Sequence, residues 1–498
     1  MKILTLIDHS AQLLTIIEKS HKPADKIASE YFRAKKYIGS KERKFISETL
    51  FTTIRNLILV KSIFNASFKF PQKQLSISNI NFNNSNTNFK SDYEHYFLIV
   101  IQIVLAAQFP SDFDFYKPCE LYHNLIPNST NIVDDIINEF LTNEFTETQI
   151  LDEYTIQNIC DYYKSLNIAI QNENNYKNYI KFVTEKYSFP FDFLNLFLEN
   201  QNKKFSNEKI IEFVTEFNKP APTCIRINLL NSTVANIMNN LSENGIEFEK
   251  GNFSHSCLTI KKRHQLTDLQ IYKNGGIEIQ DEASQLVGFC ANPKQNDFIF
   301  DACAGAGGKS LHLADLQNDK GKIIATDVEF MRLKEIPKRA ARCGFSSIET
   351  AICAKNRKIS LLKNKKVISN QFDIVLVDAP CTGSGTIRRN PVKKYSITEK
   401  VINKIAEKQF EILSMYSKFV KKGGFLVYST CSIFPQENEF VVERFLNENT
   451  DFVSEPLNNH LEQHNIHIPN LNKDAYCVTL YPFSHQTDGF FISKLKKT

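Results

Sequence analysis

The sequence predicts a multidomain protein with three units in series. These are an all-helical domain over residues 1–165, a small α+β unit over 175–280, and an α/β domain over 281–498 on a doubly wound, mostly parallel sheet that ends in an antiparallel hairpin. Three observations carry this. Apolar residues recur every three or four positions through the first stretch, the middle stretch mixes two helical segments with a strand-like one and short alternating pieces, and from 281 short apolar runs alternate with amphipathic segments. A chain of 498 residues also exceeds what one core serves, and 42% hydrophobic residues give each unit an interior.

In the first unit, "SAQLLTIIEKS", "ADKIASEYFRAKKYI" and "SKERKFISETLFTTIRNLILVKSIF" carry the helical spacing, with Ser or Pro-Ala-Asp starts that suit helix N-termini. The longest apolar run, "YFLIVIQIVLAA" (96–107), is too short to span a bilayer and predicts a buried helix. The Asn- and Ser-rich "SISNINFNNSNTNFKSDYE" (76–94) predicts a loop or disordered insertion. Asp8 and His9 interrupt the apolar core that a signal peptide would need. The eleven cysteines are odd in number, scattered, and form no C-x-x-C pair, so a reduced cytoplasm without a metal centre is expected. Sixty basic against 55 acidic residues give a net charge of only +5, which excludes a histone-like polycation and leaves room for a basic patch.

The α/β unit alternates "DFIFDAC", "KSLHLADLQ", "KIIATD", "RLKEIPKRAARCG", "FDIVLVD", "EKQFEILSMYSKFV", "GGFLVYST" and "QENEFVVERFL", and closes with "AYCVTLYPFSHQTDGFFISKL". Ligands of such sheets bind at the carboxyl ends of the strands. There, "DACAGAGGKS" places Gly305, Gly307 and Gly308 between a strand and a helix, where a ligand can approach the backbone. A phosphate-cradling loop would need glycine at position 303, which is Cys303. Asp327 ends the next strand, where a carboxylate accepts from ribose hydroxyls. Glycine loop, strand-end acid and missing phosphate grip together suggest S-adenosylmethionine. Two further strands stop at cysteines, in "DAPCTGSGTIRRNPVKKY" (Cys381) and "VYSTCSIFPQENEFVVERF" (Cys431).

These two motifs resemble the signatures of the RNA (cytosine-5)-methyltransferase family. "QDEASQLV" (280–287) resembles the segment just before that family's cofactor domain, "TDGFFISKL" (487–495) resembles its closing hairpin, and "PADKIASEYFRAKKYIGSKERKFISETLF" is similar to the NusB-like helical domain of RsmB-type small-subunit ribosomal RNA methyltransferases. The resemblance implies a NusB-like helical domain, an RNA-binding α+β unit and a Rossmann-like methyltransferase domain. It implies Cys431 as nucleophile at carbon 6 of cytosine, Cys381 as the release residue, and Asp378 at the cytosine edge and beside the cofactor. The cofactor loop would be Cys303, Ala304, Gly305, Ala306, Gly307, Gly308 and Lys309, with Asp327 on the ribose. This chain has Gly305-Ala306 where the family commonly has alanine-proline, and "TAICAKNRK" (350–358) lacks the acid that meets the adenine amine, leaving Asn356 or a backbone carbonyl. RNA contacts are expected from Arg226 and Asn228 in "CIRIN" and from Arg388, Arg389, Lys393 and Lys394. The expected protein is thus a cytoplasmic, monomeric RNA cytosine-5-methyltransferase for small-subunit ribosomal RNA. The alternatives are a transfer-RNA enzyme, or an RNA-binding or ribosome-assembly factor that keeps the fold without turnover. A DNA enzyme is disfavoured, because its nucleophile would sit in the proline-cysteine motif.

Overall fold

A computed structural model describes residues 2–20, 22–67, 88–114, 116–125, 131–142, 153–200, 205–262, 264–352 and 371–498. It divides into two compact units: Met1–Glu199 with Phe205–Pro220 and Arg389–Ser396, and Asn200–Lys204 with Ala221–Arg388 and Ile397–Thr498.

The first unit is helical, as the apolar spacing predicts. Helices Ile3–Glu18, Ser40–Arg55 and Asn88–Gln108 bury Leu6, Leu13, Leu14, Phe45, Leu50, Leu98, Ile101 and Leu105 completely in one core. Each such side chain contributes about 1.5–3 kcal/mol. The apolar run 96–107 lies in Asn88–Gln108 and is buried nearly all round, which marks that helix as central to the bundle. Helices continue beyond residue 165 to Asn207–Asn218, where Ser206 accepts from the Lys209 amide at 3.4 Å as N-cap. Of the Asn-rich 76–94, residues 76–87 lie outside the described residues, and 88–94 begin a helix.

The second unit holds two sheets. Strands β1 (Thr223–Ile227), β2 (Phe248–Lys250), β3 (Cys257–Ile260) and β4 (Ile277–Ile279) form an antiparallel sheet in the order β2-β3-β1-β4. Alternation along β1 sends Ile225 and Ile227 into a small core with Ile237 and Leu241 of helix Val234–Glu243. Strands β5 (Phe298–Asp301), β6 (Lys322–Asp327), β7 (Ile348–Ile352), β8 (Phe372–Asp378), β9 (Val420–Thr430), β10 (Phe452–Ser454), β11 (Cys477–Leu480) and β12 (Phe490–Lys497) form the second sheet. Its order is β10-β12-β9-β8-β5-β6-β7, with β11 also on β12. The pairs among β5 to β9 are parallel, whereas β12 runs antiparallel to β9, β10 and β11. Buried on both faces, β5 and β8 read as continuous apolar runs, as parallel strands do. The closing pair β11 and β12 forms as expected, although its connection contains a short helix, Pro482–His485, in place of a tight turn.

From β5 the chain adds β6 and β7 on one side, then returns to place β8 and β9 on the other. That reversal between β6 and β8 is the position where open α/β sheets leave a ligand crevice at their carboxyl ends.

Candidate active site

The register of β8 and β9 closes the fifty residues between the two cysteines. Asp378 pairs with Ser429, and the Ala379 amide donates to the Ser429 carbonyl at 2.9 Å. Both chains therefore leave the sheet together, and Sγ of Cys381 comes to 3.1 Å from Sγ of Cys431. Neither cysteine is in a disulfide, and both are partly exposed. The bond to the Cys431 sulfur, then burial, then the charges of Cys431, Glu437 and Asp378 raise the Cys381 pKa well above the usual thiol value.

Asp378 faces the same edge. Its Oδ2 accepts from Lys309 Nζ at 2.7 Å and its Oδ1 from Ser429 Oγ at 2.9 Å, while Lys309 Nζ also lies 4.9 Å from the centre of the Phe490 ring. Lys309 thus belongs with Asp378 as much as with the glycine loop that precedes it.

The loop itself has room for a ligand. Gly305 (φ +56°) and Gly307 (φ +86°) are in the left-handed region, and a Cβ on Gly305 or Gly308 would meet only open space. Ala304 is tied to β6 by its amide on the Thr326 carbonyl (2.8 Å), the Ala306 carbonyl accepts from Arg339 Nη1 (2.6 Å), and Cys303 stays partly exposed. Asp327 accepts from the Gly305 amide at 2.8 Å and the Glu329 amide at 2.7 Å, leaving lone pairs on both oxygens for ribose hydroxyls. Val328, Phe330 and Met331 beside it are exposed apolar surface. These residues fit an adenosine-bearing cofactor. Beneath the loop, Asp301 is fully buried, accepts from Ser310 Oγ at 2.6 Å, and has its pKa raised to about 7, mainly by burial.

Four expected RNA contacts are corrected by burial. Arg226 sits on β1, a strand with a neighbour on each side and both faces covered, and none of its guanidinium nitrogens reaches solvent. Asn228 is fully buried and donates to the Gly275 and Cys343 carbonyls at 2.8 and 2.9 Å, joining the small sheet to helix Glu335–Cys343. Lys394 is buried in the helical unit, where its Nζ donates to the Arg55 carbonyl (2.6 Å) and Asn218 Oδ1 (2.8 Å). It thereby caps the C-terminus of helix Ser40–Arg55, where a cation is favourable. Arg388 is buried in the second unit. Of the basic loop, Arg389 is exposed and Lys393 half-buried. Asn356, the expected adenine partner, lies outside the described residues. Sequence reasoning missed Glu437, a fully buried acid that bonds the residues following both cysteines. Its signal was a glutamate six residues after Cys431, in the segment "QENEFVVERFL" read as an amphipathic helix.

The family model described as 16S rRNA methyltransferase RsmB/F matches residues 289–496, and a ferredoxin-like domain model of the same group matches 196–267. The chain is 34% identical over 279 residues to a probable ribosomal RNA small subunit methyltransferase B of Bacillus subtilis, covering 56% of this chain and 60% of that one. A protein of the same description from Synechocystis is 32% identical over 314 residues, covering 63% and 68%. The matched region thus spans about three fifths to two thirds of these relatives' length. The crystal structure of PH0851 superposes with a TM-score of 0.70 over 100% of this chain and 99% of that one at 23% identity, a likeness of fold.

Proposed function

The chain belongs to the 16S rRNA methyltransferase RsmB/F family, and on that premise we propose that it is an S-adenosylmethionine-dependent RNA (cytosine-5-)-methyltransferase acting on small-subunit ribosomal RNA. One observation carries the reading: two reduced cysteines at the ends of neighbouring parallel strands have their sulfurs 3.1 Å apart, beside an aspartate paired with a lysine. A structural thiol pair has no need of the crevice edge.

S-adenosylmethionine, when bound, supplies an electrophilic methyl group. Carbon 5 of cytosine attacks it only after a thiolate has added to carbon 6 and turned the ring into an enamine. Cys431, the cysteine at the end of β9, is the sulfur for that addition by its match to the family's second motif. Addition drives negative charge onto ring N3, which a nearby donor must meet. The Lys309 ammonium, held by Asp378, supplies such a donor. Asp378, an acceptor toward both Lys309 and Ser429, suits the exocyclic amine of cytosine and not the carbonyl of uracil. After methyl transfer the proton on carbon 5 leaves and the carbon–sulfur bond at carbon 6 breaks. Cys381, 3.1 Å from the Cys431 sulfur, serves that release as the thiolate that takes the carbon 5 proton, while the electron pair of the broken bond returns to Cys431. Both thiols have to stay reduced, which accords with a cytoplasmic protein.

The test is methylation of small-subunit ribosomal RNA with labelled cofactor, read by bisulfite sequencing and on a denaturing gel. Wild type should label cytosine. Cys431→Ala should give neither product nor adduct, and Cys381→Ala should retain RNA as a covalent adduct that survives denaturation. A folded wild type that methylates no cytosine would sink the reading, and an adduct in Cys431→Ala alone would reverse the two roles.

A further inference from the structure

The residues that directly follow the two cysteines, Thr382 and Ser432, converge on one carboxylate. Glu437 Oε1 accepts from the Thr382 amide (2.8 Å) and Gln409 Nε2 (3.2 Å), and Oε2 accepts from Thr382 Oγ1 (2.6 Å) and Ser432 Oγ (2.6 Å). Glu437 is fully buried and its donors are all neutral groups. A buried carboxylate without a cation is costly compared with an apolar side chain of the same size. Its presence calls for something an uncharged side chain cannot do.

The hydrogen-bond directions supply the explanation. Ser432 Oγ already accepts from the Phe434 amide at 3.2 Å, and Ser384 Oγ, which accepts from the Ile433 amide at 3.0 Å, lies 2.9 Å from it. With the Ser384 proton directed at Ser432, both lone pairs of Ser432 are used and its own proton must go to Glu437. Thr382 Oγ1 accepts from the Ser384 amide at 3.3 Å and likewise sends its proton to Glu437. The position therefore needs two adjacent atoms that only accept, two bonds each, which a carboxylate provides. A glutamine would set its NH2 against the hydroxyl donors in one orientation and against the Thr382 amide and Gln409 in the other.

We propose that Glu437 is a positioning residue for both thiols: by accepting these four bonds it holds the loops after Cys381 and Cys431 in the arrangement that brings their sulfurs together, so that attack and release address one base. Gln409, which also donates to the Pro380 carbonyl at 3.0 Å, extends the same hold to the residue before Cys381. The proposal rests on the methyltransferase reading for what the thiols do, and on geometry alone for how they are held.

The experiment uses the full chain in two assays. In the first, without RNA or cofactor, phenylarsine oxide bridges the thiols, its arsenic forming two bonds to sulfur while water leaves, and mass mapping of peptides follows the Cys381–Cys431 bridge. Wild type should bridge, and Glu437→Gln should bridge about tenfold more slowly or worse, because small displacements of paired groups act strongly on such rates. In the second, Glu437→Gln should lower kcat about 10²-fold while KM for RNA and for S-adenosylmethionine stays within about threefold, the pattern of a group acting on the reacting atoms rather than on binding. Bridging at the wild-type rate, or a fall in kcat/KM that lies wholly in KM, overturns the proposal. If Glu437→Gln does not fold, Thr382→Val removes one hydroxyl donor and keeps the amide bond; it should slow bridging too, and an unchanged rate overturns the proposal equally. A wild type that bridges but methylates no RNA sinks the methyltransferase reading and leaves the positioning role standing.

Discussion

Asp301 shows what burial does to a single group at the foot of the cofactor loop. Its pKa rises from an ordinary 3.8 to about 7, chiefly because burial penalises the charge, with the Ser310 bond opposing and Asp378 adding to the rise. A folded-state pKa above the unfolded one contributes stability that is complete below the unfolded value and is lost as pH rises through the folded value, here between about pH 4 and 7. Asp301→Asn, which keeps an acceptor for Ser310, should therefore gain on wild type in urea midpoint as pH is raised from 4 to 8, and a difference that stays constant with pH would contradict this. Asp327 is a second case, since its carboxylate bonds the Gly305 amide and has lone pairs to spare for ribose. Asp327→Ala should weaken S-adenosylmethionine binding by roughly 1.5–3 kcal/mol, measured by calorimetry on folded protein; unchanged affinity would remove it from the site.

Among the elements, the turn after β8 is held to its neighbours by backbone. The Gly385 amide donates to the Cys431 carbonyl at 2.9 Å, and the Gly489 amide at the start of β12 donates to the Gly385 carbonyl at 2.8 Å. A Cβ on Gly385 would run into the Gly489 carbonyl, which cannot yield as a side chain can. Gly385→Ala should thus cost about 1–3 kcal/mol and lower turnover as well, because the same turn carries Thr382 and Ser384. Unfolding and methylation assays together would check it, and a variant with normal midpoint and normal kcat would show that the turn tolerates displacement. Strand β12 matters to the site for this reason, although it carries no reacting group.

For the whole molecule, the difference between buried and exposed cations decides which of them RNA can feel. Lys394, buried on the C-terminus of helix Ser40–Arg55 with its pKa held well below the usual lysine value by desolvation and then by Arg55, stabilises the helical unit. Arg389, five residues earlier, is exposed. Arg389→Ala should reduce the salt dependence of RNA binding by about one counterion and weaken all sequences alike. Lys394→Ala should leave the salt slope of the folded protein unchanged and lower the urea midpoint, since it removes the two bonds that Lys394 Nζ makes to the Arg55 carbonyl and Asn218 Oδ1. Filter binding across a salt series separates the two, and equal slopes for wild type and Arg389→Ala would remove that loop from the RNA surface.

Legibility followed the range of the interaction. The apolar runs of β5, β6, β8 and β9, the glycine loop, Asp327 and the two cysteines were readable because each is a local pattern: alternation, a strand end, a left-handed turn, a thiol where an apolar run stops. The apolar run 96–107 was readable as a buried helix for the same reason. What the chain could not disclose locally was which charged side chains face inward. Arg226, Asn228, Arg388 and Lys394 have the residue types of RNA contacts, and only the packing of a central strand and a helix end shows them to be buried. Glu437 was not singled out at all, because its four donors come from three separate stretches of chain. The sequence by itself determined the elements and the inventory of reactive groups, since those depend on near neighbours. Tertiary structure alone decided that the two thiols meet at 3.1 Å and which acid holds them, because the β8–β9 register joins residues fifty positions apart and burial is a property of the assembled fold.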